Sequence, residues 1–191
     1  MRSRHELRSD ARAGAGKRAG FSLLDITIAM TVMTVGFGAV IYAMVGAMSL
    51  SRFAQERSAA LAAAESALEA LQGETFSEVF ARFNATPGDD PPLGASPGPN
   101  FPAPGLSPVP GDPDGMPGQI EFPGNGVLLS EGVVDADLGM PRDLDGDGLQ
   151  NGTFATGYIV LPVRVRVSWN GTRGNSQLVL VTTLNNERKG P

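Results

Sequence analysis

The sequence predicts an α+β chain in which a long N-terminal helix packs on a small antiparallel C-terminal β-sheet, with a Pro/Gly-rich loop region between them. Three observations predict this layout. Residues 21–51 contain a single charged side chain and continue into an alanine-rich stretch at 52–72. Residues 85–118 hold eleven of the fifteen prolines. Over residues 158–169, hydrophobic side chains alternate with polar ones, which is typical of a strand with one buried face.

The first twenty residues are strongly basic and precede the apolar run. They carry six basic and two acidic side chains, whereas the rest of the chain carries nine basic and eighteen acidic ones. About 20 apolar residues span a bilayer as a helix, and basic residues before such a segment indicate a cytoplasmic N-terminus. We therefore expect a leader at residues 1–20 and a transmembrane helix at residues 21–51. The alternative for the apolar run is a buried core helix.

The junction between these two segments reads Arg18-Ala19-Gly20-Phe21-Ser22-Leu23-Leu24-Asp25. It closely resembles the N-terminal signal of type IV pilins and type II secretion pseudopilins. The resemblance implies that a prepilin peptidase cleaves after Gly20 and methylates Phe21, and that the apolar helix is retained for assembly. It also implies that Asp25, where the family usually has Glu, pairs with the N-terminal amine of a neighbouring subunit. An acid in a bilayer helix is costly and usually has a partner; the alternative is that Asp25 merely lies at the membrane surface.

The alanine-rich stretch extends the helix beyond the membrane, because alanine is the best helix former. Apolar side chains recur there at helical spacing: Leu61, Ala64, Leu68 and Leu71. Gly73 is suited to cap the end, and a helix over residues 21–72 would be about 78 Å long. Residues 74–83 predict a short amphipathic extension whose phenylalanines pack against the head. We therefore expect residues 52–84 to be the periplasmic half of the helix with this extension.

The Pro/Gly-rich segment at 85–118 cannot form a regular ladder of backbone hydrogen bonds, because over half of its residues are proline or glycine. We expect a loop or a semi-extended linker that is partly disordered. Residues 119–184 then predict a β-rich head, and residues 185–191 a polar tail. Short strands at 119–122 and 127–130 flank a turn.

The strongest strand signal predicts a β-hairpin near the C-terminus. A strand at 158–169 is followed by a six-residue turn that begins at Asn170, and a return strand lies at 177–184. Arg164 and Arg166 occupy the polar positions of the first strand. We expect these two arginines on the solvent-exposed face of the hairpin.

The acidic segment at 143–151 has the spacing of the first part of a calcium-binding loop. Its candidate ligands are the carboxylates of Asp143, Asp145 and Asp147, the carbonyl of Leu149 and the side chain of Asn151. Phe154 occupies the place where an EF-hand has a bidentate Glu, so we expect a lone calcium loop in which Asp135 or Asp137 supplies another oxygen. Some pseudopilins hold calcium in a head loop, so the resemblance favours a bound Ca²⁺. The alternative is an acidic surface turn without a metal.

The resemblance to this family implies a minor pilin of the PilV type or an I-type minor pseudopilin, a structural subunit rather than an enzyme. Expected partners are the prepilin peptidase, other pilins or pseudopilins through the N-terminal helix, and a bacterial inner membrane before assembly. The head would be periplasmic and would later join a type IV pilus or a type II secretion pseudopilus. No nucleic-acid partner is expected, because the body is acidic.

Two other functions stay open, and composition excludes several more. One is a non-polymerising single-pass membrane protein with a periplasmic calcium-binding head. The other is an anchored hydrolase that uses the three aspartates, although no nucleophile and base accompany them. The chain has no cysteine, and its single histidine, His5, lies in the leader. These counts exclude disulfides, a cysteine nucleophile and a cysteine zinc site.

Overall fold

A computed structural model of the chain describes residues 20, 22–90 and 96–186, and it confirms the predicted α+β layout. The chain divides into two compact units, residues 1–46 and 47–191. The helices are α1 (Leu23–Gly73) and α2 (Phe76–Phe83). The strands are β1 (Asn100–Phe101), β2 (Gly118–Glu121), β3 (Leu129–Ser130), β4 (Thr153–Phe154), β5 (Val160–Gly171) and β6 (Gly174–Asn185). Most of the predicted leader, Phe21 and the end of the predicted tail lie outside the described residues.

In the first unit, α1 is apolar and exposed on every side. All side chains over residues 22–46 are exposed. Three threonine hydroxyls donate to backbone carbonyls one turn earlier in the helix, each at 2.8 Å: Thr27, Thr31 and Thr34. A hydroxyl that is satisfied inside its own helix enters lipid at a lower cost. This helix is long and apolar enough to cross a membrane.

In the second unit, α1 packs on the head through small side chains. Its buried residues are Ala60, Ala64, Ala67 and Leu71. The predicted apolar stripe is therefore partly wrong: Ala64 and Leu71 are buried, but Leu61 is 39% exposed. Alanine on the buried face allows the helix backbone to lie close to its neighbours, because little side-chain volume separates them.

Helix α2 is the predicted amphipathic extension, and Tyr158 ties it to the sheet. Its buried residues are Val79, Phe80 and Phe83. The Tyr158 hydroxyl donates to the carbonyl of Phe76 at 2.8 Å and accepts from the amide of Phe80 at 3.2 Å. These two backbone groups are i, i+4 partners in an α-helix. The hydroxyl therefore bridges one turn of α2 to the segment that leads into β5.

The main sheet has the antiparallel order β1-β2-β5-β6, and β3 pairs with β4 in a second, two-stranded sheet. The predicted hairpin of β5 and β6 is confirmed, and its ladder runs from Val160 opposite Asn185 to Gly171 opposite Gly174. Only two residues separate the last pair, so the predicted six-residue turn is wrong. Strand β2 pairs with β1 and β5 and does not pair with β3, although the two strands flank the predicted turn.

The Pro/Gly-rich segment is described over residues 85–90 and 96–118, and its second part lies along the sheet. It contributes β1, and its proline carbonyls accept hydrogen bonds even though proline cannot donate one. The amide of Ile120 donates to Pro99 at 2.6 Å, and that of Ser168 donates to Pro117 at 2.7 Å. Residues 91–95 lie outside the described residues. The described part of the expected linker is therefore attached to the head rather than separate from it.

Arg164 of β5 is buried, so its predicted place on a solvent-exposed face is wrong. Its guanidinium donates to Asp135 at 2.6 and 2.8 Å and to Glu121 at 3.1 Å. Arg166 is more exposed and also donates to Glu121, at 3.1 Å. The hydrogen bonds from Arg164 are the main reason that the pKa of Asp135 lies below its ordinary value. A buried guanidinium needs such partners because burial of an unpaired charge is costly.

The tip of the β5–β6 hairpin contacts α1 through Glu56. The Glu56 carboxylate accepts hydrogen bonds from the hydroxyl and the amide of Thr172, the latter at 2.9 Å, and from the indole of Trp169 at 3.4 Å. A Cβ at residue 171 would overlap this carboxylate, so Gly171 allows the close approach. The hydrogen bond from the Thr172 hydroxyl is the largest cause of the lowered pKa of Glu56.

We predict that Glu56 stabilises the head at neutral pH and that this stabilisation is lost in acid. Because the pKa of Glu56 is lowered on folding, its contribution is complete above the ordinary value of 4.5 and disappears as the pH falls through the folded value. The melting temperature of Glu56→Gln, followed by the fluorescence of the single tryptophan, should lie below that of the parent at neutral pH and converge with it once the pH is below the folded pKa of Glu56. Glu65→Gln, at an exposed position of the same helix, is the matched control. A difference that stays constant with pH would contradict the prediction.

Candidate functional site

The start of α1 is built by a reciprocal pair, Ser22 and Asp25. The Ser22 hydroxyl accepts a hydrogen bond from the amide of Leu24, and the Asp25 carboxylate accepts one from the amide of Ser22, each at 3.3 Å. This is a capping box, which satisfies amide groups that lack partners in the first turn. A negative charge in this turn is also favoured by the helix dipole. The sequence shows the spacing of Ser22 and Asp25, but the sequence analysis did not identify these two residues as a helix cap.

The predicted cleavage position lies just before this cap. Gly20 is exposed and lies outside any regular element, whereas Phe21 lies outside the described residues. An exposed, irregular backbone is the kind of substrate that proteases cut. The geometry therefore combines an accessible Gly20 with a helix that begins three residues later.

A second candidate site is an acidic cluster in the head, formed by Glu131, Asp143 and Asp145. One carboxylate oxygen from each residue lies within 4.8 Å of the other two. Between the two aspartates, Leu144 is fully buried, and its carbonyl accepts hydrogen bonds from the amides of Ile159 and Val160. Burial of Leu144 thus anchors the loop that carries both aspartates at the start of β5.

Glu131 is the fully buried member of the acidic cluster. Its two carboxylate oxygens accept hydrogen bonds from the amides of Leu144, at 2.7 Å, and Gly152, at 2.8 Å. Among the described residues, no arginine or lysine forms an ion pair with it. A buried carboxylate with two acidic neighbours and no cation is electrostatically unfavourable. A bound cation would offset this repulsion.

Asp143 is oriented by two glycine amides. Its carboxylate accepts hydrogen bonds from Gly146 at 2.6 Å and from Gly148 at 2.9 Å. Both glycines have positive φ, +84° and +86°, a conformation that other residues rarely adopt. These two amides are the largest causes of the lowered pKa of Asp143. The glycines of the motif thus serve to hold Asp143 ionised and in place.

The other three aspartates proposed as ligands are not part of the acidic cluster. Asp147 is exposed, and its carboxylate accepts the amide of Leu149 at 2.7 Å. Leu149 and Asn151 are exposed as well. Asp135 and Asp137 contact Arg164 instead of the acidic cluster. Local spacing thus identified two members of the cluster, whereas Glu131, twelve residues upstream of Asp143, carries no local signal.

The donor set of the acidic cluster fits a hard divalent cation. All three donors are carboxylate oxygens, which calcium and magnesium prefer over nitrogen or sulfur ligands. Two oxygens bound to one calcium at about 2.4 Å can be at most about 4.8 Å apart. The spacing within the cluster meets this limit. Glu131, Asp143 and Asp145 are the residues that would hold the ion.

Comparison with models of protein families, with curated proteins and with solved structures gives no match to this chain. Its function is therefore inferred from its own residues.

We predict that calcium raises the melting temperature of the full chain in detergent micelles, by about 5–10 °C when calcium is a hundredfold above its Kd. Asp145→Asn should lose most of this shift, because it removes a negative ligand from the cluster while its side-chain oxygen can still accept a hydrogen bond. Asp147→Asn, two residues away and outside the cluster, is the matched control and should keep the shift. Equal shifts in the two variants, or none in the parent, would contradict a calcium site at the cluster.

Proposed function

We propose that this chain is a minor pilin or pseudopilin. In this proposal a prepilin peptidase removes residues 1–20 and methylates Phe21, and α1 then joins a helical bundle with other subunits. The protein is a structural subunit and the substrate of an enzyme, not an enzyme itself. The observation that carries the proposal is the Gly20-Phe21 junction placed directly before a capped and exposed apolar helix.

The form of α1 supports this function. An apolar helix with satisfied threonine hydroxyls is stable in lipid, and the same surface can pack against the apolar helices of other subunits. The basic leader before Gly20 agrees with a cytoplasmic start. The α+β head, whose own core includes the second half of α1, gives each subunit a folded domain outside the bundle. We therefore expect a single-pass inner-membrane precursor with a periplasmic head, which later enters a pilus or pseudopilus.

Asp25 has two separable roles in this proposal. Its carboxylate caps α1 through the amide of Ser22, and its charge would pair with the methylated amine of Phe21 on a neighbouring subunit. The cap is local and stabilises one helix. The charge pair acts between subunits and sets their register. Variants that separate the cap from the charge can therefore test the assembly role directly.

A calcium-binding anchored protein that never polymerises is the second candidate function, and the acidic cluster favours it. The hydrolase alternative has less support, because each aspartate of the 143–147 segment accepts a backbone amide and the described residues include no histidine. Processing at Gly20 distinguishes the first two functions, since only a pilin-type subunit requires it.

We predict that the mature membrane form begins at Phe21 and carries one added methyl group. Intact-mass measurement of the protein from cells that express a prepilin peptidase should show the loss of residues 1–20 and a gain of about 14 Da. Gly20→Val should keep its full length, because the peptidase would meet a branched side chain at the cleavage position. An uncleaved parent would favour the anchored protein that does not polymerise.

We predict that Asp25→Ala and Asp25→Asn both insert into the membrane and both assemble poorly into sheared filaments. Asparagine can still accept the amide of Ser22, so a defect in Asp25→Asn isolates the missing charge. Ser22→Ala, which removes the other half of the capping box and keeps the charge, should assemble to within about twofold of the parent, because a cap contributes only about 1 kcal/mol. Normal assembly of Asp25→Asn would refute charge pairing as the register device.

A further inference from the structure

A basic cluster, formed by Arg52, Arg57 and Arg173, lies where the hairpin tip meets α1. The guanidinium carbon of Arg173 is 5.0 Å from the centre of the Phe53 ring, which is a cation–π contact. Arg57 lines the same hollow as Phe53 and Trp169, and Arg52 lines a second hollow together with the hairpin turn. Three arginines from two elements that are distant in sequence therefore lie around the hairpin tip.

The basic cluster contrasts with the rest of the head, which is acidic. Residues 47–186 contain seven arginines, no lysine and sixteen carboxylates. Three of the arginines form ion pairs: Arg82, Arg164 and Arg166. The members of the basic cluster have no ion pair among the described residues, and all three are exposed. Their charge is thus available to a partner outside the chain.

Glu56 is the carboxylate beside the basic cluster, and its oxygens are already engaged. They accept hydrogen bonds from Thr172 and Trp169, while Arg52 interacts with Glu56 electrostatically. With Glu56 included, these four side chains still carry two net positive charges. The role of Glu56 is to hold the hairpin tip, and therefore Arg173, against α1.

The position of the basic cluster in the sequence identifies its partner as a membrane surface. Arg52 is the first charged residue after the apolar run and follows Asp25, the previous charged residue, by 27 positions. That separation is about 40 Å of α-helix, close to the roughly 40–45 Å thickness of a bilayer with its headgroups. A membrane-spanning α1 would therefore bring Arg52 to the headgroup layer.

The chemistry of the basic cluster fits phosphate. A guanidinium donates two parallel hydrogen bonds to a phosphate group, and arginine stems and aromatic rings both favour the interfacial layer of a bilayer. An acidic head would otherwise be repelled by anionic lipids. Unpaired arginines at this one end of the head would replace that repulsion with attraction.

We propose that Arg52, Arg57 and Arg173 bind the phosphate groups of anionic lipids in the leaflet that faces the head. The β5–β6 hairpin tip then lies on the bilayer and adds a second attachment beside α1. This proposal requires that α1 spans the membrane, but it does not require assembly into a filament. In a subunit that does assemble, these contacts would have to be released as α1 leaves the lipid.

The test uses the full chain reconstituted at one copy per nanodisc. One set of discs contains phosphatidylcholine alone, and the other contains phosphatidylcholine with phosphatidylglycerol. Amide hydrogen exchange at residues 171–175 should be at least about threefold slower in the anionic discs, because each arginine near an anionic surface is attracted to it. The slowing should weaken at high salt, which screens exposed charges.

Variants then assign the effect to the basic cluster. The double substitution Arg57→Gln and Arg173→Gln should abolish the slowing, whereas Arg173→Lys alone should keep part of it by retaining the charge. Arg142→Gln removes an exposed arginine outside the cluster and should behave like the parent. The fluorescence of the single tryptophan, Trp169, reports that each variant is folded. Equal exchange in both disc types, slowing that persists in the double variant, or slowing that appears only with two copies per disc would overturn lipid binding.

Discussion

The head depends on one hydrophobic core to which both the second half of α1 and the apolar face of β5 contribute. One buried core contains Ala60, Ala64, Ala67 and Leu71 of the helix together with Leu161, Val163, Val165, Val167 and Trp169 of the strand. The helix contributes mostly small side chains and the strand larger ones, a combination that favours close packing. The strands β2 and β6 pair with β5 on either side, so the position of β5 in this core determines where the rest of the sheet lies. The Tyr158 and Glu56 hydrogen bonds then attach α2 and the hairpin tip to the same core.

Two buried charges in the head are accommodated in different ways. Arg164 is surrounded by carboxylates, which offset the cost of its burial. The Glu131 carboxylate accepts hydrogen bonds from two backbone amides, and carboxylate oxygens of Asp143 and Asp145 lie within 4.8 Å of it. The charge of Arg164 is balanced by side chains of the chain itself, whereas a bound cation would stabilise the carboxylates around Glu131. The arginines of the head differ in the same way. Arg82, Arg164 and Arg166 form ion pairs, whereas the three arginines of the basic cluster form none among the described residues.

Signals that are local in sequence were the ones that predicted the fold correctly. The apolar run and the alanine-rich stretch predicted α1, and strand alternation predicted β5, because both patterns repeat over many residues. The errors came from contacts between distant segments. The buried face of α1 is rotated from the predicted stripe, because the core of the head buries Ala60 and Ala67 and leaves Leu61 39% exposed. Arg164 is buried because the loop that carries Asp135 packs over it. The turn is shorter than predicted because the hairpin ladder extends until only two residues remain outside it.

The sequence by itself determined the long apolar helix and the strong strand signal of the β-rich head, and it predicts a basic leader before Gly20 and Phe21. Those features depend on composition and on spacing within one segment. Only the tertiary structure decided which charged side chains lie close together, because their proximity depends on how distant segments pack. The acidic cluster contains Glu131 with Asp143 and Asp145, and not the predicted Asp147. Folding also places Arg173 of the hairpin turn over the Phe53 ring of α1. Glu56 and Gly171 allow the contact between the hairpin turn and α1, since the Glu56 carboxylate can approach the turn only where residue 171 has no Cβ.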